Sequence, residues 1–338
     1  MGDKPNKMPY TLSLPKELLL DLSKGCTSYT PNPNTPFTPQ EGDEYSPLHA
    51  EWCINAITYA YRQFCDKEKK DFYPPDVEEA QHLYWHEDFN IFQKKVSCGY
   101  IGRIKSLPND PTNRIVIAFR GTEKAGEWLE NVDYTQSEET FENLDHSVTI
   151  HTGFWDALND KANYKTPSLQ DQLNNLIPKY LKKDVPNEIN ITGHSLGAAI
   201  ATLVTLDSIL RYKGVRIVTF IIGTPRVGGP SLAELFRDLT QDPSYDFVVW
   251  RLVNTEDVVT TVPAPVLGDI VYSQVYISKP SDPNRVGGLT FSDNLGNIEH
   301  NHHPLLYKFA NNQLLSDKKS KKPVKGVDEK PGDNKKSA

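Results

Sequence analysis

No stretch of the 338 residues approaches the ~20 consecutive apolar residues that a membrane-spanning helix needs. The first residues, Met1 to Asn6, are polar or charged, and the apolar stretch Leu18-Leu19-Leu20 is closed off by Asp21 and Lys24. Neither the apolar core of a signal peptide nor its small-residue cleavage site is visible there. Gly2 follows Met1, but Asn6 stands where a myristoylation signal requires Ser or Thr. Cysteine is scarce: Cys26, Cys53, Cys65 and Cys98 are scattered without metal-type spacing. Cys53 and Cys65 fall within one expected helix, ~18 Å apart along its axis, too far to bridge. Such usage points to a reducing compartment, so the chain is expected to be cytoplasmic. No internal repeat is present, and the H-E-x-x-H zinc pattern is absent.

The charge that is present is unevenly placed. The net charge is −7, yet residues 317–338 carry eight Lys against four acidic residues. The remainder is therefore at −11, and an acidic body excludes nucleic acid as the main partner. The Lys-rich tail holds almost no apolar residues and is expected to be disordered. Three regions follow: an irregular leader over 1–47, one catalytic domain over 48–316, and the tail over 317–338. The leader's segment 29–47 is Pro-rich and reads as extended.

His49 to Asp66 has Cys53, Ile57, Ala60 and Phe64 on one helical face. Residues 67–95 mix charge and aromatics and give no clear period. Strands are expected at Ser97–Lys105, Arg114–Phe119, Glu188–Thr192, Arg216–Ile222, Phe247–Val253 and Ile270–Ile277. Several are near-continuous Val/Ile runs, as in strands covered on both faces. Helices are expected at Phe154–Lys161, Leu169–Leu181, Leu196–Tyr212 and Ser231–Leu239. Strands alternating with helices make a mostly parallel sheet, whose sites gather at the strands' C-terminal ends.

One such end carries Gly193-His194-Ser195-Leu196-Gly197. Ile189 and Ile191 precede it as a strand, and an Ala- and Leu-rich stretch follows as a helix. A serine on so sharp a strand-to-helix turn has its hydroxyl pushed outward, with glycines on either side where Cβ atoms would clash. This is the nucleophile elbow of an α/β-hydrolase fold: a mostly parallel central sheet flanked by helices. The alternative is an ordinary glycine-rich turn with a solvated serine.

A serine hydroxyl needs a histidine base, and the base needs an acid to fix its tautomer. In α/β-hydrolases the chain order is Ser, acid, His. Asp257, just past the strand ending at Val253, is the acid candidate, with Glu256 as a rival. The base must then be His300, His302 or His303, the last two standing just before a helix that begins at Pro304. A metal reading of these histidines lacks matching Cys or acidic ligands. Oxyanion donors are expected from the backbone N–H of Leu196 and from Thr122, in the Arg120-Gly121-Thr122 turn after a central strand. Arg120, His151 and His194 are read as structural. No cofactor and no metal are expected.

Taken together, these segments resemble the class 3 (fungal-type) lipase family over roughly residues 50–310. Phe119-Arg120-Gly121-Thr122 resembles its oxyanion loop, and 123–133 its short lid helix, with Trp128 where members often carry a lid tryptophan. His151-Thr152-Gly153-Phe154, the elbow, Gly223-Thr224-Pro225-Arg226-Val227-Gly228 and the acid loop 254–259 follow in the family's order. The resemblance implies Ser195, Asp257 and a C-terminal histidine as catalytic residues, acting on lipid esters without a cofactor. Members often have a tyrosine three or five residues after the base. His302 lies five before Tyr307, so His302 is preferred to His303. The implied partner is a glycerolipid ester at a lipid–water interface, with transient contact at a membrane or lipid-droplet surface and no obligate protein partner. The activity implied is triacylglycerol lipase-like. Phospholipase A1, galactolipase and mono- or diacylglycerol lipase activities are not separable from it in sequence, and a non-catalytic binding scaffold is the reading from another class. Two features depart from the family: Ala198 replaces a common second glycine, and the leader of secreted members is not seen.

Overall fold

The computed structural model describes residues 31–42, 44–65, 72–89, 92–122, 135–159, 167–254, 256–263, 290–291, 302–308, 311–312 and 316. Nine strands are described in chain order: β1 (Val77–Phe89), β2 (Phe92–Ile104), β3 (Asn113–Phe119), β4 (Gln136–Glu139), β5 (Val148–His151), β6 (Asn187–His194), β7 (Arg216–Ile222), β8 (Phe247–Asn254) and β9 (Thr290–Phe291). The main sheet runs β1-β2-β3-β6-β7-β8-β9. From β3 to β9 every pairing is parallel, and β1–β2–β3 is an antiparallel addition at one edge. Strands β4 and β5 form a small separate pair.

Among the described residues, five helices surround this frame: α1 (Pro47–Cys65), α2 (Thr152–Asn159), α3 (Leu169–Tyr180), α4 (Leu196–Arg211) and α5 (Pro230–Gln241). Alternation along each strand divides the core in two. Ile115, Ile117, Ile189, Ile191, Ile217 and Ile221 face α4 and the helices beside it. Val116, Ala118, Val218, Phe220, Val248 and Trp250 face α1 and Leu306. Both faces are covered, which is why β3 and β7 read as near-continuous apolar runs rather than alternating ones. The sheet is therefore of the mostly parallel, helix-flanked α/β-hydrolase type expected from the sequence.

Helix α4 is buried from Gly197 to Leu210 and lies against β6 and β7. α3 begins with a capping box: the Ser168 hydroxyl accepts from Asp171 N–H, and the Asp171 carboxylate accepts from Ser168 N–H. The expected helix and strand boundaries shift by a few residues, as helix ends fray. The strand expected at Ile270–Ile277, the lid segment with Trp128, and the tail 317–338 lie outside the described residues.

Two features lie beyond the sequence reading, and one expectation needs correction. The segment 67–95, left without assignment, contains β1 and the start of β2. Part of the irregular leader is built into the core: Phe37 is buried edge-on against His49 and Trp52, and its N–H donates to Asp76 Oδ2 at 2.6 Å. Cys65, at the end of α1, is disulfide-bonded, whereas Cys53 and Cys98 are buried free thiols. A disulfide persists in oxidising surroundings, so the cysteine usage does not carry the reducing-compartment expectation. Among the described residues, no helix is long and apolar enough to cross a membrane.

Candidate active site

Ser195 joins β6 to α4 with φ +59° and ψ −128°, a region that β-branched and bulky residues avoid. Its strain is held by close main-chain contact on both sides. A Cβ on Gly193 would overlap the carbonyl of Gly197, and a Cβ on Gly197 would overlap the carbonyl of Arg120. The glycines of the motif thus let β6, the elbow and the turn after β3 come together. Ser195 N–H donates to Ile222 O at 3.1 Å, which fixes the elbow to the end of β7.

Asp257 is three residues beyond β8 and fully buried. Its Oδ1 accepts from Val259 N–H at 3.0 Å, capping the 3₁₀ turn Val258–Thr261. Its Oδ2 receives His302 Nδ1 at 2.6 Å and the Tyr307 hydroxyl, also at 2.6 Å. Burial, with the Asp257 carboxylate beside it, pushes the Tyr307 phenol well above its usual range, so it stays protonated and donates. His302, not His303, is the histidine brought to the acid. The Nδ1 of His303 instead accepts from Leu305 N–H at 3.2 Å, at the start of the helical residues 304–308.

With Nδ1–H given to Asp257, the Nε2 of His302 carries the lone pair. This Nε2 and the hydroxyl of Ser195 are both buried and make no hydrogen bond among the described residues, to each other or to other groups. In resting sites such bonds are often long, tightening when substrate arrives. Their neighbourhood is shared: a Cβ on Gly223, next to Ile222, would stand 3.0 Å from His302 Cε1 and 3.2 Å from Asp257 Oδ2. The Thr122 hydroxyl is a third buried polar atom without a partner among the described residues. Leu196 is the first residue of α4, so its N–H has no partner within the helix. A Cβ on Gly121 would lie 2.5 Å from Ser195 Cβ, which puts the Thr122 turn beside the elbow.

Two arginines brace the surrounding loops. Arg226 donates to the carbonyls of Thr261 and Pro263, at 2.6 and 2.8 Å, and buried Arg251 to those of Thr224 and Thr260. Arg120 is buried with its guanidinium over the Phe64 ring at 3.7 Å, and it donates to the carbonyls of Ser97 and Gly121. It holds the turn, as expected. His151 is buried against Phe154. Glu256 stands two residues after Asn254, whose side-chain Oδ1 accepts its N–H at 3.2 Å. Sequence reasoning missed Tyr61, whose hydroxyl meets His194 Nδ1 at 2.7 Å across 133 residues of chain. No local pattern marks such a pair. Among the described residues, no group of three or more His, Cys, Asp or Glu is placed to hold a metal.

The family model described as lipase (class 3) matches residues 116–267. The chloroplastic phospholipase A(1) DAD1 of Arabidopsis thaliana is 37% identical over 161 residues, covering 45% of this chain and 34% of the relative. A secreted mono- and diacylglycerol lipase, LIP1 of Malassezia globosa, is 27% identical over 175 residues, covering 50% of this chain and 53% of the relative. The chain thus spans from a third to about half the length of these relatives. Among solved structures, the triacylglyceride lipase of Rhizomucor miehei superposes with a TM-score of 0.42 and 19% identity, over 65% of this chain and 74% of that one.

Proposed function

From a class 3 lipase match that spans both the elbow and the acid loop, we propose that this chain is a serine ester hydrolase that cleaves acyl esters of glycerolipids. The observation that carries the reading is the buried Asp257–His302 pair, 2.6 Å apart, beside an elbow serine whose hydroxyl is unpartnered among the described residues. In this mechanism Ser195 Oγ bonds to the ester carbonyl carbon while His302 Nε2 takes the hydroxyl proton. The carbonyl becomes an oxyanion held by Thr122 and by the N–H of Leu196. The C–O bond to glycerol then breaks, and His302 returns the proton to the leaving alkoxide. Water, deprotonated by the same imidazole, bonds to the acyl carbon; the bond to Ser195 Oγ breaks, His302 returns the proton to Oγ, and the acid leaves. Asp257 holds His302 in the Nδ1–H tautomer and stabilises the imidazolium. No cofactor enters these steps.

Within this reading residues 48–316 form the catalytic domain, and the segment 123–133, with Trp128, is assigned the family's lid role from its sequence alone. The proposed contact with substrate is transient, at a lipid surface. A phospholipase A1 specificity is the second reading, favoured by the 37% identity to DAD1. For location, the disulfide at Cys65 supports an oxidising compartment over the cytoplasm first expected. Titration of free thiols in freshly isolated protein tests this: four free thiols would reject it.

The deciding experiment is labelling with a serine-directed fluorophosphonate. It is followed by hydrolysis of nitrophenyl esters, triacylglycerol, diacylglycerol and phosphatidylcholine, below and above the concentration where each lipid aggregates. Labelling of the native chain but not of Ser195→Ala supports the reading. A native chain that neither labels nor hydrolyses any ester overturns it.

A further inference from the structure

Of the three triad members, His302 has the least help from the sheet. Ser195 continues directly from β6, and Asp257 follows β8 by three residues. His302 instead precedes the short helical stretch 304–308, and its place depends on what holds its two ends. The side chain is held by Asp257 at 2.6 Å. The main chain is held by His194, the residue before the nucleophile: His194 Nε2 lies 2.6 Å from the carbonyl oxygen of His302.

The chemistry of that contact fixes its direction. A carbonyl oxygen can only accept, so His194 Nε2 carries the hydrogen. His194 is fully buried, and burial, with the His302 ring beside it, holds its pKa well below the usual value. The ring is therefore neutral, and its Nδ1 offers a lone pair. Tyr61, in the last turns of α1, meets that nitrogen at 2.7 Å and must be the donor. The bonds run in one direction, from the Tyr61 hydroxyl through His194 to the backbone of His302. The rings of His194 and His302 are 4.4 Å apart, and all three residues are buried. A Cβ on Gly121 would come 2.6 Å from the Tyr61 hydroxyl, so the same tyrosine lies beneath the oxyanion turn.

We propose that Tyr61 and His194 are positioning residues, which set the main chain of His302 so that its Nε2 faces Ser195. The role rests on the serine hydrolase reading, and it assigns to His194 more than the structural place expected from sequence. The energetics suit it. A base displaced by ~1 Å costs about 100-fold in rate, while the hydrogen bonds that prevent this are worth little to global stability.

The test compares His194→Phe, His194→Gln and Tyr61→Phe with the native chain. Each is measured by fluorophosphonate labelling rate, by kcat and KM on one nitrophenyl ester, and by thermal midpoint. Glutamine carries an N–H about as far from the backbone as Nε2. Expected is a kcat and labelling-rate loss of about 10- to 100-fold in His194→Phe with KM little changed. Recovery of most of that loss is expected in His194→Gln, and an intermediate loss in Tyr61→Phe. A His194→Phe chain that labels at the native rate overturns the proposal. So does a His194→Gln chain as slow as His194→Phe with the same drop in midpoint, since that is a packing effect. Should His194→Phe fail to fold, Tyr61→Phe decides: native kcat there overturns the proposal. A native chain that does not label at all is a failure of the hydrolase reading instead.

Discussion

Strands β3 and β6 bury polar groups at both of their ends, and the two ends treat them differently. At the N-terminal end, Arg114 pairs with Glu188 at 3.1 Å and with Asp110 at 2.8 Å, and Arg216 reaches Asp246 at 2.8 Å. Asn113 donates there to Tyr180 O and to Asn187. Each of these charged groups has a partner. At the C-terminal end, the Ser195 hydroxyl, His302 Nε2 and the Thr122 hydroxyl are buried and unpartnered among the described residues. An unmade hydrogen bond in a protein interior costs about 1–3 kcal/mol. Three such groups lie together at the end that holds the proposed site, whereas the charged groups named at the other end are paired.

Substitutions at the two ends should separate these roles. The largest effect belongs to Ser195→Ala. It should lower ester turnover by about 10⁴-fold or more while leaving the thermal midpoint close to native. Turnover within tenfold of native would remove Ser195 from the mechanism. Next is Thr122→Val, which deletes the hydroxyl of a proposed oxyanion donor and should lower kcat by about 10²- to 10³-fold. Because the hydroxyl it removes is buried and unpartnered, stability should hold or rise, as read by the urea midpoint. A clear loss of stability would show that the hydroxyl has a structural partner.

Glu188→Ala, at the opposite end, should behave in reverse. Breaking a buried pair by removing one member costs about 3–5 kcal/mol, so the urea midpoint should fall while kcat on a nitrophenyl ester stays native. A kcat loss matching that of Thr122→Val would erase the distinction between the two ends. The smallest effect is on pH dependence. Burial raises the Glu188 carboxyl above the ordinary glutamate value, against the pull of Arg114. The folded state then binds more protons than the unfolded state between the two values. Stability is fully present below the ordinary value and declines as pH rises through the raised one. Glu188→Gln should flatten that part of the stability curve. An unchanged slope would assign the decline to another group, with Asp207, also raised by burial, the first to test.

The sequence revealed the covered strands and the elbow because each has a local cause. Val/Ile runs follow from burial on two faces, and Gly-x-Ser-x-Gly follows from crowding at one turn. The hairpin β1–β2 was illegible for the opposite reason. β1 is an edge strand, and Glu78, Glu79, Gln81, His82, Glu87 and Asp88 interrupt any apolar period. Two register shifts against β2 weaken the alternation further. Asp257 stood out from its place after a Val-rich strand, and the structure sets it 2.6 Å from His302. Between His302 and His303, adjacent residues of one type, the five-residue spacing to Tyr307 favours His302, and the structure brings that histidine to Asp257. Tyr61 and its contact with His194 were invisible, since the fold joins them across 133 residues. The disulfide at Cys65 was likewise beyond spacing arguments.

At the elbow, main chain rests on main chain: the carbonyl of Arg120 fills the space beside Gly197, and that of Gly197 the space beside Gly193. A combinatorial library randomised at positions 193 and 197 should therefore return glycine at both, whatever substrate is used for selection. Backbone carbonyls cannot be swapped for smaller groups, so no compensating side-chain change will rescue another residue there. Efforts to retune acyl preference gain nothing from these two positions and belong in the loops that the parallel strands project above them.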